Sequence, residues 1–161
     1  MAPSPDGFTD WKWKVATLLR PWRSEFWLYY PCEADAGHQM VKVCERSGYD
    51  FAVLHFRICH ECRHGLIAKI RVIGEWTRQG YATRMVKRAI RGCETYSWST
   101  TNRSEDGELF FPTLQAALGT AFTRRERVCE HIKARRRGHA RPRMERSPTS
   151  RQRAMERRSA A

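Results

Sequence analysis

Long apolar runs are missing from this 161-residue chain. None approaches the ~20 residues that a membrane helix needs, and the mean hydropathy is -0.68, so no membrane partner is expected. The opening Met1-Ala2-Pro3-Ser4-Pro5-Asp6-Gly7 lacks the basic start and apolar stretch of a secretory leader. A cytoplasmic location is therefore expected. The six cysteines, at 32, 44, 59, 62, 93 and 129, should then be reduced thiols or metal ligands rather than disulfides. Internal repeats are absent as well. What is present is a 41% hydrophobic and 11% aromatic composition with six Trp, sufficient for the core of one ordinary domain.

Acidic residues are scarce at one end. Residues 133–161 hold eleven Lys or Arg against Glu145 and Glu156, a net +9, and leave +4 of the total +13 to residues 1–132. Aromatics are absent there, and the only larger apolar side chains are Met144 and Met155. Such a segment buries too little apolar surface to offset its ordering entropy. It is expected to be a disordered Arg-rich tail, either simply solvated or bound to nucleic acid or another polyanion by phosphate neutralisation.

Between the ends, the pattern predicts an ordered order of elements. A short helix within 8–23 is weakly signalled, so residues 1–24 form a partly ordered N-terminal segment. Glu25 to Tyr30, His38 to Cys44 and Asp50 to Cys59 read as strands, the last apolar on both faces as in a sheet interior. Residues 65–73 form a further strand, antiparallel to its predecessor because the connection is short. The period then changes: Met85, Val86, Ala89 and Ile90 share one helical face, with Arg84, Lys87, Arg88 and Arg91 on the other, and Gly92 stops the helix. A strand over 96–101 follows. Phe110, Phe111, Leu114 and Leu118 recur at helical spacing, with Ser104 or Asp106 as caps and Pro112 either in the first turn or at a kink. Residues 122–132 are expected to give one or two closing strands. The expected fold is α/β (α+β), with a mixed, mostly antiparallel sheet, helices on both faces, and a βαβ crossover making strands 65–73 and 96–101 parallel.

The segment Glu75-Trp76-Thr77-Arg78-Gln79-Gly80-Tyr81-Ala82-Thr83-Arg84 joins a strand to a helix N-terminus. The first helical N–H groups have no internal partner, and the helix dipole adds partial positive charge there. Gly80 and Ala82 permit close backbone approach, and Arg78 and Arg84 add full charges. These features suit an anion such as a pyrophosphate.

In this context residues 65–122 resemble the GNAT superfamily of acyl-CoA-dependent N-acyltransferases, whose hallmark is a strand, Gln/Arg-x-x-Gly-x-Gly/Ala, and a helix. Gly80-Tyr81-Ala82 fills the Gly-x-Gly/Ala positions, Thr77 stands where Gln or Arg is usual, and Leu118-Gly119-Thr120-Ala121-Phe122 looks like the Leu-Gly-Phe ending of a later helix with two residues inserted. The likeness covers about residues 25–132, which would form an acyl-CoA-binding domain. It implies transfer of an acetyl group from acetyl-CoA to an amine acceptor. The co-substrate would lie between strands 65–73 and 96–101, held by Ile70, Val72, Arg78, Gln79, Gly80, Tyr81, Ala82, Thr83 and Arg84. The usual catalytic carboxylate at the strand's start is missing, though Glu61 and His64 lie just before it, and the usual Tyr position falls near Gln115. Ser104 and Glu75 are the candidate catalytic groups, with Ser99 and Thr101 behind them. The alternatives are a GNAT-like module without turnover that binds a polyanion through its tail, and a zinc-stabilised nucleic-acid-binding protein.

Cys59-His60-Glu61-Cys62 supplies half of a tetrahedral zinc site. His64, Cys44 or the Cys129-x-His131 pair would have to complete it, the last only if the C-terminal segment folds back. Free thiols rank first for these cysteines, zinc second and redox chemistry third, since redox motifs sit at helix N-termini.

Overall fold

The computed structural model describes residues 11–124 and 128–138. Among the described residues, ten α-helices and strands follow one another, besides a 3-10 turn between β4 and α2: α1 (Trp11–Leu19), β1 (Glu25–Tyr30), β2 (His38–Glu45), β3 (Asp50–Cys59), β4 (His64–Val72), α2 (Tyr81–Ile90), β5 (Ser97–Thr100), α3 (Glu105–Leu118), β6 (Phe122–Arg124) and α4 (Glu130–Gly138). The six strands form one sheet in chain order. The first three pairings are antiparallel, and β4–β5 and β5–β6 are parallel. Strand alternation sorts the side chains. Val41, Val43, Leu54, Phe56, Ile67 and Trp98 join Met85, Val86 and Ile90 of α2 and Phe111 and Leu114 of α3 in the main core. Leu28, Tyr30, Met40 and Val53, of the opposite parity, meet Trp13 and Ala16 of α1. On that same face Cys59 and Leu66 meet Val128 and Ile132 beside α4. The sheet is thus covered on both sides, as expected for this fold class. Among the described residues no helix is long and apolar enough to cross a membrane.

Of the two places open to Pro112, the structure selects the interior of α3 rather than its first turn. Ser104 caps that helix by accepting from Gly107 N at 3.3 Å. Of the one or two closing strands expected in 122–132, one is present, the three-residue β6, and α4 begins before the span ends; Ile132 on α4 and Val128 just before it pack in one cluster. Residues 133–138, placed at the start of a disordered tail, are the remainder of α4. The rest of that tail expectation, residues 139–161, and the first ten residues lie outside the described residues.

Two local devices shape the region between β4 and β5. Lys69 pairs with His55 and Ile67 with Phe56, which leaves Ala68 as an extra residue, a β-bulge. Bulges bend and twist the strand that carries them. The β4–β5 ladder ends at Ile67↔Thr100, just where the bulge begins.

Candidate functional site: a cleft between diverging strands

Beyond the last β4–β5 pair the strands part, and a cleft of about 920 Å³ opens between them. Its walls are residues 67–72 of β4, the β4–α2 loop with the first turn of α2, the β5–α3 loop, and one face of α3. Thr101 closes its inner end: its amide donates to Ile67 O at 3.1 Å and its hydroxyl to Ala68 O at 2.7 Å. The β4 edge facing the cleft has a readable polarity. Ile73 N donates to Phe51 O of β3 at 2.9 Å. By the two-residue alternation of a strand, the main-chain groups of Ile70 and Val72 point to the other side, into the cleft.

The β4–α2 loop supplies the second wall. A 3-10 turn (Gly74–Trp76) is closed by Thr77, whose amide and hydroxyl both donate to Gly74 O, at 3.1 and 2.7 Å. Arg78 then takes φ 61° and Gly80 φ 78°. Gly80 is the N-cap residue of α2 and offers its N–H groups no side-chain acceptor. Arg84 is the first residue whose amide bonds back into the helix, to Gly80 O at 3.0 Å. The amides of Tyr81, Ala82 and Thr83 precede it and remain available to an external anion. A non-glycine residue at positive φ costs of order 1–3 kcal/mol and persists where the surroundings impose it; Arg78 is held so at the cleft wall.

Of the residues picked out by sequence, Ile70, Val72, Arg78, Gly80, Tyr81, Ala82, Thr83 and Ser104 line the cleft. Glu75, Gln79 and Arg84 do not. Gln79 Nε2 donates to Glu75 O at 2.8 Å and so braces the loop. Arg84 lies over the rings of Tyr81 (4.2 Å) and Trp27 (5.4 Å) and pairs with Glu25 at 3.9 Å. Ser99 is buried and bonded to His64 at 2.9 Å, away from the cleft. The Ala68 bulge and the Thr101 bonds were missed, because neither has a composition signal.

Tyr81 fixes the first turn of α2 on the sheet. Its hydroxyl donates to Glu25 Oε2 at 2.6 Å, and its ring packs edge-on to Phe51 at 5.0 Å. Burial raises the Glu25 carboxyl, but the bonds from Tyr81 and Trp27 and the charge of Arg84 outweigh it and hold Glu25 below its ordinary value. Burial and Glu25 push the Tyr81 phenol up. Tyr81→Phe should lower unfolding free energy by about 1 kcal/mol in urea titrations. Because the folded carboxyl titrates below the unfolded one, this contribution is complete above the unfolded pKa of ~4.3 and is lost as pH falls through the folded value. A loss that persisted undiminished at still lower pH would show the ring, not the ionised pair, to be responsible.

The arrangement can hold an extended, polar ligand with an anionic end. No protein-family model matches the sequence, and no curated protein matches it. Among solved structures, the chain is similar to one named "Putative N-Acetyl Transferase YhhK from E. coli", solved by NMR bound to coenzyme A. The match has 16% identity, a TM-score of 0.40, and covers 70% of this chain and 83% of that one. A likeness of this degree assigns no activity, and the functional reading rests on the cleft itself.

Proposed function

We propose that this protein is an acyl-CoA-dependent N-acyltransferase that moves an acetyl group from acetyl-CoA to a primary amine within a ternary complex. One observation carries the reading: the unbonded amides at the start of α2 and the unpaired edge of β4 open onto the same cleft. Acetyl-CoA has complementary parts in the same order. Its diphosphate suits the amides and dipole of a helix N-terminus, with Arg78 adding charge. Its pantetheine amides suit an open strand edge at Ile70 and Val72, where a peptide-like chain adds as a further strand. The thioester would then reach the Ala68 bulge.

There the amine attacks the carbonyl carbon while a main-chain N–H of β4 polarises the carbonyl oxygen. Collapse of the tetrahedral intermediate breaks the C–S bond, the amide product loses the amine proton, and the coenzyme A thiolate takes one up. Ser104 is the cleft residue proposed to relay that proton, its oxygen taking up the one the amine loses as its own hydrogen passes to the thiolate; the oxygen is held in place by accepting from Gly107 N. Glu75 stands outside the cleft, and no role is proposed for it. Most of the acceleration comes from holding both substrates in register.

The test is calorimetric titration of the full chain with acetyl-CoA, followed by a thermal melt. Saturation near 100 times Kd should stabilise by about 2.7 kcal/mol and raise Tm by roughly 5–10 °C. Absence of both heat and thermal shift at millimolar ligand removes the reading.

A further inference from the structure

We propose that Cys59, Cys62, Cys129 and His131 bind one zinc ion, which staples α4 to the turn between β3 and β4. Two ligands come from that turn and two from the start of α4, and this is the fold-back that the sequence left open. One donor atom from each of the four lies within 4.8 Å of all the others. His131 Nδ1 is 3.3 Å from Cys62 Sγ and 3.5 Å from Cys59 Sγ. Zinc with Zn–S near 2.3 Å and Zn–N near 2.0–2.1 Å in tetrahedral geometry places sulfur and nitrogen about 3.6 Å apart, and two sulfurs about 3.8 Å apart. The side chains therefore already describe the edges of such a tetrahedron to within about an ångström. His64 and Cys44 are not part of the group.

The chemistry of the set selects the metal. Three thiolates and one imidazole are a soft, nitrogen-and-sulfur donor set, typical of closed structural zinc sites with no open position for substrate. The turn is shaped for it: Cys62 N points at Cys59 Sγ at 3.4 Å, a contact that strengthens when the sulfur is a thiolate, and Arg63 at φ 48° swings the chain back into β4. Two carboxylates lie beside the set, and their contacts with the Cys59 thiol and the His131 nitrogen give way when those atoms take the metal. Asp35 lies 3.4 Å from Cys59 Sγ and is held by the His60 amide at 3.0 Å, and Glu61 lies 3.7 Å from His131 Nδ1. Binding releases the thiol protons of three cysteines to solvent, uses neutral His131, and changes no oxidation state.

The staple has a structural purpose. A nine-residue helix is too short to be stable alone. Its apolar attachment consists of Val128 and Ile132 against Ala36, Cys59 and Leu66. A metal tie at the base of α4 also fixes the start of the basic C-terminal segment, including Lys133, Arg135 and Arg136, beside the sheet. This inference is independent of the acyl-transfer reading.

The experiment uses the full chain purified without chelator, with bound metal counted by mass spectrometry. One zinc per chain is expected, and Cys62→Ser and Cys129→Ser should each lower retained zinc about tenfold or more. Cys62 is exposed, so its substitution leaves the core packed, and far-UV circular dichroism checks this. Cobalt(II) added to metal-free protein should give thiolate-to-metal charge-transfer bands and the visible bands of a tetrahedral ion, altered by His131→Ala. Chelation should speed amide exchange in α4 about tenfold or more while β3 stays protected. Protein that neither carries nor takes up zinc, zinc content unchanged in both serine variants, iron in place of zinc, or a disulfide among these cysteines would each overturn the proposal.

Discussion

Gly80→Glu is expected to weaken coenzyme A binding by at least about 100-fold, which corresponds to roughly 2.7 kcal/mol. Gly80 caps α2 at φ 78°, and a Cβ built on it meets nothing within 4 Å. The protein itself therefore has room for the side chain. The left-handed backbone costs the variant about 1–2 kcal/mol of stability. The rest of the effect falls on the ligand: the carboxylate enters the space assigned to the diphosphate, where like charges a few ångströms apart repel by several kcal/mol at an effective dielectric near 20. Gly80→Ala separates the two contributions. It carries the same backbone strain without charge and should lose far less affinity. The difference between the variants should shrink as salt rises, because this loop is exposed. Calorimetry at two ionic strengths measures it. Binding by Gly80→Glu within about threefold of wild type would mean that the loop does not contact the ligand.

Gly65→Ala is expected to cost about 3 kcal/mol of stability, the upper end for overpacking. Gly65 of β4 pairs directly with Trp98 of β5. A Cβ there would sit 2.4 Å from Trp98 Cε3 and 2.5 Å from Cδ2 and Cζ3. The ring has no room to retreat. It is 1% exposed, its Nε1 donates to Cys93 O at 2.9 Å, and Phe122 lies beside it. The backbone of β5 must move instead, at the base of the cleft. Gly74→Ala is the control, since its Cβ meets nothing within 4 Å; it should stay within about 0.5 kcal/mol of wild type. Urea unfolding of both decides the matter. Replacing Trp98 with Phe in the Gly65→Ala background should recover part of the loss, a coupling expected of side chains in contact. Equal stability of Gly65→Ala and Gly74→Ala would show that β4 and β5 are not locked together by this contact.

The structure shows what a local pattern conveys. Apolar and aromatic runs bounded by turns placed β1 to β4 to within a residue or two, because each strand buries at least one face. The face of α2 carrying Met85, Val86, Ala89 and Ile90 was legible for the same reason, and those four are buried. Gly92 and Gly119 marked helix ends, with φ of 79° and 67°. The turn from β4 into α2 was legible through Gly80, which caps the helix at φ 78°.

Other features depend on partners distant in sequence. The Ala68 bulge comes from the register of β3 against β4, and an Ala-Lys step carries no trace of it. Arg84 reads as a phosphate ligand by position, yet aromatic rings and Glu25 on β1, far back in the chain, hold it elsewhere. Glu75 reads as a candidate catalytic group, yet it does not line the cleft, although Trp76 of the same 3-10 turn does.

The sequence by itself determined the sheet, the βαβ crossover and the glycine at the mouth of α2, because periodicity and backbone permissiveness act over a few residues. Tertiary structure alone decided that β4 and β5 part at residue 68, and that Cys59 and Cys62 meet Cys129 and His131. Both depend on how strands and helices are packed against one another, and that is settled by burial summed over the whole sheet rather than by any neighbouring residues.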